Sequence, residues 1–239
     1  MSYAYVGREL EVFSQATNWK RYFSSLIRPF LRGDVLEVGA GLGGTTAFLR
    51  SGRESSWTCL EPDAALAYRL AAAAGNGDGP EPTVINGTIA DVPAGLRFDA
   101  IVYIDVLEHS TSDTDELHSA RGRLRRGGHL VVLSPAHQWL FSPFDAAIGH
   151  ERRYSLRRLV QAAPPGMTLV LGRYIDACGL LLSMGNAFLL RHAQPTFGQV
   201  RFWDRYAVRA SMAIDRVLGW RVGKSVLCVW REPRHDGGT

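Results

Sequence analysis

The chain has 239 residues, 46% of them hydrophobic and 21% charged, with a net charge of +4. This is the composition of an ordinary globular protein; it excludes global disorder and suits one large α/β domain, or a domain carrying a substantial insertion. Three cysteines, Cys59, Cys178 and Cys228, lie far apart with no C-x-x-C spacing, which argues against a disulfide framework or a zinc site and for a reducing, cytoplasmic compartment.

The N-terminus lacks the basic-then-apolar pattern of a signal peptide. Charge is unevenly spread. Up to residue 120 there are 9 lysines and arginines against 16 carboxylates, and beyond it 18 against 7. Solvated surface explains any single run, such as Arg121 to Arg126. A sharper reading puts a cationic ligand on the first half and an anionic substrate or surface on the second.

Residues 8–31 carry Trp19, Tyr22, Phe23, Leu26, Ile27 and Phe30 at helical spacing, an amphipathic cover that ends near Pro29. Val35 to Val38 reads as a buried strand. It runs into Gly39-Ala40-Gly41-Leu42-Gly43-Gly44, a G-x-G-x-x-G spacing with a helix opening at Thr45. Glycine lets the backbone approach a ligand there, but several nucleotide binders share the motif. Glu37, at the strand tip, suits a cationic ligand better than a pyrophosphate.

Ser56 to Leu60 is a second strand, and Asp63 caps a helix from Ala64 to Ala74. Glu61, 22 residues after Gly39, stands where a Rossmann-type fold holds ribose hydroxyls. A glycine- and proline-rich loop, Gly75 to Pro82, leads to a third strand over Thr83 to Asn86. Phe98 to Ile104 is the fourth, ending in Asp105-Val106-Leu107-Glu108-His109. A helix runs from Ser112 or Asp113 to Arg126, Gly127-Gly128 stops it, and His129 to Ser134 is the fifth strand. Alternation of this kind implies a parallel, doubly wound sheet with ligands at the carboxyl ends of its strands.

The later part is less regular. His137 to Tyr154 is a polar loop, Ser155 to Ala163 a helix, and Met167 to Tyr174 and Ser225 to Trp230 are strand-like. The insert between these strands (about 176–221) holds an apolar segment, Ala177 to Leu190, and a helix from about Arg201 to Leu218. The apolar segment is short for a membrane span and carries Ser183 and Asn186; it reads as a buried or capping helix, with membrane contact or homodimerisation as alternatives.

Val-Leu-Glu-Val-Gly-Ala-Gly-Leu-Gly, Leu-Glu-Pro-Asp, Asp-Val-Leu-Glu-His and Leu-Arg-Arg-Gly-Gly-His-Leu, in this order over residues 34–135, resemble the class I S-adenosylmethionine (SAM) dependent methyltransferases. The resemblance implies one domain over 1–239, built as a Rossmann-like, doubly wound seven-stranded α/β sheet. The last strand would be antiparallel, with a helical cover over about 1–32 and the helical insert between strands six and seven. Carried over by position, Gly39, Gly41 and Gly43 border the methionine part of SAM, and Glu37 lies near its amino group. Glu61 holds the ribose, with Pro62 or Asp63 at the adenine edge and Thr88 and Ile89 flanking the adenine. Asp105 and Val106 face the methionine end. Thr88 departs from the family, which often has aspartate there. The run from Ser134 to Asp145 with Gly149 to Tyr154 resembles a subgroup acting on small molecules.

Methyl transfer is an in-line displacement governed by alignment, so no protein nucleophile or metal is required. Carboxylates around the site favour the sulfonium over the uncharged product, S-adenosylhomocysteine. For a hydroxyl or acidic C–H acceptor a base helps, and His150, His137 and then His109 are the candidates. Arg152, Arg153 and Tyr154 either clamp a carboxylate or phosphate on the acceptor or pin their loop through Asp145 or Glu151. The expected partner is a small molecule, anionic or amphiphilic, in natural-product or secondary metabolism, with no nucleic acid and no membrane span. The alternatives are an NAD-linked oxidoreductase, a non-catalytic SAM-binding module, and a nucleic-acid methyltransferase. The last lacks an Asn-Pro-Pro-Tyr-type motif after strand four.

Overall fold

The computed structural model describes residues 9–73, 81–186 and 196–234. One sheet contains seven strands: β1 (Gly33–Val38), β2 (Glu54–Glu61), β3 (Thr83–Asn86), β4 (Phe98–Ile104), β5 (Leu124–Pro135), β6 (Thr168–Ile175) and β7 (Ser225–Arg231). Their order is β3-β2-β1-β4-β5-β7-β6. β7 runs antiparallel to both its neighbours, and the rest are parallel. This is the doubly wound sheet with an antiparallel last strand that the resemblance implied. The central strands read as continuous apolar runs because both faces are covered.

The two faces bury separate clusters. Val35, Trp57, Ala100, Val102, Val131 and Leu227 face one side, with residues of the N-terminal cover and the insert. Leu36, Leu60, Ile101, Tyr103, Val132 and Trp230 face the other, under α5 (Asp113–Arg121) and α7 (Leu156–Ala162). The cover consists of α1 (Glu9–Ser14) and α2 (Thr17–Ile27), closed by a 3₁₀ turn over Arg28–Phe30. Trp19, Tyr22, Phe23 and Ile27 are core residues. The rest of the motif-bearing chain adds α3 (Thr46–Leu49), α4 (Ala64–Ala73) and α6 (Pro143–Ala147). Asp63 accepts from the Ala65 and Leu66 amides, as an N-cap should.

The insert folds as α8 (Ala177–Gly185), α9 (Phe197–Phe202) and α10 (Val208–Val217), the last two joined through a π-helical turn over Trp203–Ala207. Its second helix therefore starts near Phe197, earlier than Arg201. Of the apolar segment, α8 buries only Ala177, Gly179 and Leu180 while Leu181 and Leu182 are exposed; residues 187–190 lie outside the described residues, as does most of the expected loop over 75–82. No helix among the described residues is long and apolar enough to cross a membrane.

Carboxylates bolt the insert to the cover. Asp204, in the π-helical turn, accepts hydrogen bonds from the Asn18 and Trp19 amides at the start of α2 and from Asn18 Nδ2. It is a helix cap supplied 185 residues away in sequence. Asp215 accepts from Tyr22 Oη at 2.7 Å and from the amides of Asp176 and Ala177.

The helix after strand four ends at Arg121, not Arg126, and β5 starts at Leu124. Gly122 caps the helix end, its amide donating to the His118 carbonyl, and the register shifts between Phe98 and Ala100, so Arg125 to Gly128 lie in an irregular stretch of the strand. Arg125 is drawn there by Asp34 at 2.7 Å and Asp99 at 2.6 Å. Replacing Asp204 by alanine leaves buried amides without an acceptor; we expect a loss of about 2–3 kcal/mol, read as a fall of about 4–12 °C in Tm by thermal melting.

Candidate active site

Backbone strain marks the carboxyl edge of the sheet. Asp105, His137 and Asp176 directly follow or nearly follow β4, β5 and β6, and all three take the left-handed conformation (φ 52°, 69° and 68°). Non-glycine residues rarely accept it, and such strain clusters at functional sites.

The glycine loop follows β1. Gly39, Gly41 and Gly43 have φ of 69°, 57° and 74°. A Cβ on Gly39 would lie 2.5 Å from Val106 Cγ2, so this glycine and the valine after Asp105 are in contact. Glu61 Oε2 accepts from the Gly41 amide and Oε1 from the Asp63 amide, both at 2.8–2.9 Å. A carboxylate has about four lone-pair sites, so acceptor capacity remains for hydroxyls. Burial pushes the Glu61 carboxyl up, and those amides oppose the shift. Thr88 caps a 3₁₀ turn over Ile89–Asp91, with its amide and hydroxyl both on Asp91; Ile89 is buried.

Glu37 is fully buried and turned inward. Its oxygens accept from Thr45 and Thr46 hydroxyls at 2.7 Å and from Trp57 Nε1 at 3.0 Å. Those contacts brace the helix after the glycine loop. Burial raises its pKa against these hydrogen bonds.

The loop after β5 folds back on β4. Ser142 caps α6, and buried Asp145 accepts from the amide and hydroxyl of Ser142. Arg153 reaches the same carboxylate with two nitrogens at 2.9 Å. His150 Nδ1 lies 2.9 Å from Asp145 Oδ1. Burial works against the Asp145 charge, but the hydrogen bonds from His150 and Arg153 outweigh it and hold its carboxyl well below the usual range. Arg152 donates to the Ser110 and Thr111 carbonyls, and the buried Tyr154 hydroxyl contacts Leu107 O and Asp113. Of the two roles open to Arg152, Arg153 and Tyr154, pinning the loop is the one their contacts describe, through Asp145 and Asp113 rather than Glu151.

Two of the three histidines come together. The rings of His109 and His150 meet edge to face, 4.6 Å between centroids. Burial, then the neighbouring His150, lowers the His109 pKa to about 4, so it is neutral at pH 7. His137 is apart from them in role: Nε2 contacts the Gly223 carbonyl at 2.9 Å and its ring stacks on Tyr174.

Glu108, which the motif contains but whose type suggested nothing alone, lies fully buried beside the histidines. Its Oε2 accepts from Ser134 Oγ at 3.1 Å. Burial, then the charge of Asp105, pushes its carboxyl well up. Lys224 has no sequence signal; it arrives because β7 runs antiparallel to β5, with Ala136 N donating to Lys224 O. Its ammonium sits 4.6 Å from the Trp203 ring centroid. Burial lowers its pKa, while Asp176, Asp105 and Asp145 favour its charge.

Residues 36–130 match the family model described as a methyltransferase domain. No curated protein matches the chain in sequence. Among solved structures, the complex between the Haloferax volcanii Trm112 methyltransferase activator and a methyltransferase contains a chain that is 16% identical, with 96% of each chain covered and a TM-score of 0.65. The N-methyltransferase NodS from Bradyrhizobium japonicum, in complex with S-adenosylhomocysteine, is also 16% identical, covering 90% of this chain and 87% of its own at a TM-score of 0.56. The [4+2]-cyclase SpnF is 13% identical with 95% and 96% covered and a TM-score of 0.62. At such identities the likeness is one of fold. The match makes residues 36–130 a methyltransferase domain, and the sheet order is the one the resemblance to SAM-dependent methyltransferases implied.

Two predictions follow from this geometry. Gly39→Ala forces a side chain onto Val106 in a left-handed backbone, and titration calorimetry should find SAM affinity reduced at least about tenfold. Asp145, with its pKa depressed on folding, contributes stability that is complete above the ordinary carboxylate value of about 4 and is lost as pH falls further. The difference in Tm between wild type and Asp145→Asn should therefore be full at pH 7 and shrink below about pH 4.

Proposed function

We propose that the chain transfers the methyl group of SAM to a small molecule, which enters beside Asp105 and faces the His109–His150 pair. The observation that carries this reading is the enclosure of those groups. His150 is almost buried, and His109 and Glu108 lie beneath a loop fastened at Asp145, so an acceptor must be small enough to enter. A polymer would need an open platform.

In this reading the glycine loop and Glu61 hold the cofactor, with Pro62, Thr88 and Ile89 toward the adenine and Asp105 and Val106 toward the methionine. The acidic edge favours the sulfonium. Glu37 acts indirectly, by holding the loop. The histidine pair lowers the cost of removing the acceptor's proton, and Asp145 sets the orientation of His150. Lys224, close enough for Asp105, Asp145 and Asp176 to favour its charge, supplies a cation for a carboxylate or phosphate on the acceptor. Arg152, Arg153 and Tyr154 have their polar atoms engaged within the protein, so we assign them the loop rather than the ligand.

The test is turnover of SAM to S-adenosylhomocysteine over a panel of anionic hydroxyl and amine compounds. With an acceptor in hand, His150→Gln should lower kcat at least about 100-fold while leaving SAM affinity within about threefold. Equal kcat in the variant rejects the role of the pair, and binding of NAD in place of SAM rejects the cofactor assignment.

A further inference from the structure

Glu108 holds a feature that methyl transfer by itself does not explain. Its carboxylate is shielded from water, yet Oε1 has no hydrogen-bond partner. Leaving a buried oxygen of this kind unpaired is costly, and native structures rarely carry one without a reason. His150 Nε2 lies 3.9 Å from it, beyond the reach of a hydrogen bond, which ends at about 3.2 Å. His109 completes the group: one ligand atom from each of Glu108, His109 and His150 lies within 4.8 Å of the others.

We propose that Glu108, His109 and His150 bind a divalent first-row transition metal ion, with zinc as the simplest occupant. The donors suit it. Two imidazole nitrogens and one carboxylate favour zinc and its neighbours over magnesium or calcium, which take oxygen ligands. Metal–ligand distances of about 2.0–2.2 Å put tetrahedral ligands about 3.4 Å apart. The three side chains need only close by about an ångström on binding, and the 3.9 Å gap becomes a shared coordination sphere.

The surroundings of His150 match what a metal-bound histidine needs. Its Nδ1 is engaged by Asp145, which leaves Nε2, 3.9 Å from Glu108 Oε1, as the nitrogen available to a metal. Asp145 is in turn fixed by the two nitrogens of Arg153 and by Ser142. A carboxylate behind a histidine ligand fixes the tautomer and ring orientation. The Asp145–Arg153 network, otherwise expensive for a loop anchor, thereby acquires a purpose. Glu108 is held in the same manner by Ser134 and by its own backbone, whose carbonyl accepts from the Glu151 amide.

Three protein ligands leave coordination positions open, as catalytic rather than structural zinc sites do. The chemical consequence rests on the function proposed above. A hydroxyl of the acceptor that coordinates the ion loses its proton to water more readily. Its oxygen then forms the new C–O bond as the methyl–sulfur bond breaks, and that electron pair stays on sulfur as a neutral thioether. The histidines thus assist proton loss through the ion they hold.

The experiment uses the full chain without a polyhistidine tag, stripped by chelator and titrated separately with Zn²⁺ by calorimetry and Co²⁺ by visible absorption. Wild type should take up one equivalent, with Co²⁺ giving the d–d bands of a low-coordinate site. Glu108→Gln and His109→Asn should each weaken binding at least about 100-fold, and Asp145→Asn by about 10–100-fold. His118→Asn, an exposed histidine elsewhere, should change nothing. Thermal melts and SAM titration on each variant establish that it is folded and report separately on the cofactor. Absence of uptake by wild type, which would leave a bridging water in the gap, or equal affinity across all variants, overturns the site. If SAM still binds in that case, the metal proposal alone has failed.

Discussion

The loop between β5 and α7 depends on a single buried carboxylate. Asp145 accepts two nitrogens of Arg153, Nδ1 of His150, and the amide and hydroxyl of Ser142. Moving a charge of this kind out of water costs several kcal/mol unless every lone pair finds a donor. Here they do, and donors from Ser142, His150 and Arg153 tie both ends of the loop to one carboxylate. The loop is secured further by the short parallel bridge between Ala136 and Tyr154 and by the Glu151 amide on Glu108 O. The rigidity that catalysis by alignment requires begins at this point.

The same physical device recurs around the sheet edge. Glu37, Glu108, Asp176, Asp204 and Asp215 are all buried, and all except Glu108 have both oxygens on hydrogen-bond donors. Glu37 fastens α3 to β1, Asp204 caps α2 from the insert, and Asp215 links the cover to the start of α8. Such pairings are unforgiving of displacement, because an unpaired partner is left in a medium that cannot solvate it. They fix the cover and insert over one face of the sheet, while α5 and α7 cover the other by apolar packing. Glu108 stands apart from the other four in having an oxygen with no donor.

Sheet order alone would not identify the reaction, since a [4+2]-cyclase shares the architecture. The domain match within residues 36–130 supplies what the fold leaves open. Beyond that span, the loop from His137 to Tyr154 brings His150 onto His109, and Lys224, just before β7, lies near enough for Asp105 and Asp176 to favour its charge.

Local signals decided much of this protein. The apolar runs, the glycine loop after β1, the cap at Asp63 and the alternation of strand and helix are readable because each depends on neighbours within a few residues. So were the edge residues Glu61, Asp105 and Val106, whose position follows from where their strands end. Tertiary structure decided the rest. Burial turned Glu37 inward onto Thr45 and Thr46, and Arg125 was drawn to Asp34 and Asp99 where the pattern suggested a helix running on to Arg126. Packing brought His150 to His109 while stacking His137 on Tyr174, and it set Lys224 beside carboxylates from three other elements. Those choices rest on desolvation and on donors far away in the chain, which no window of sequence contains.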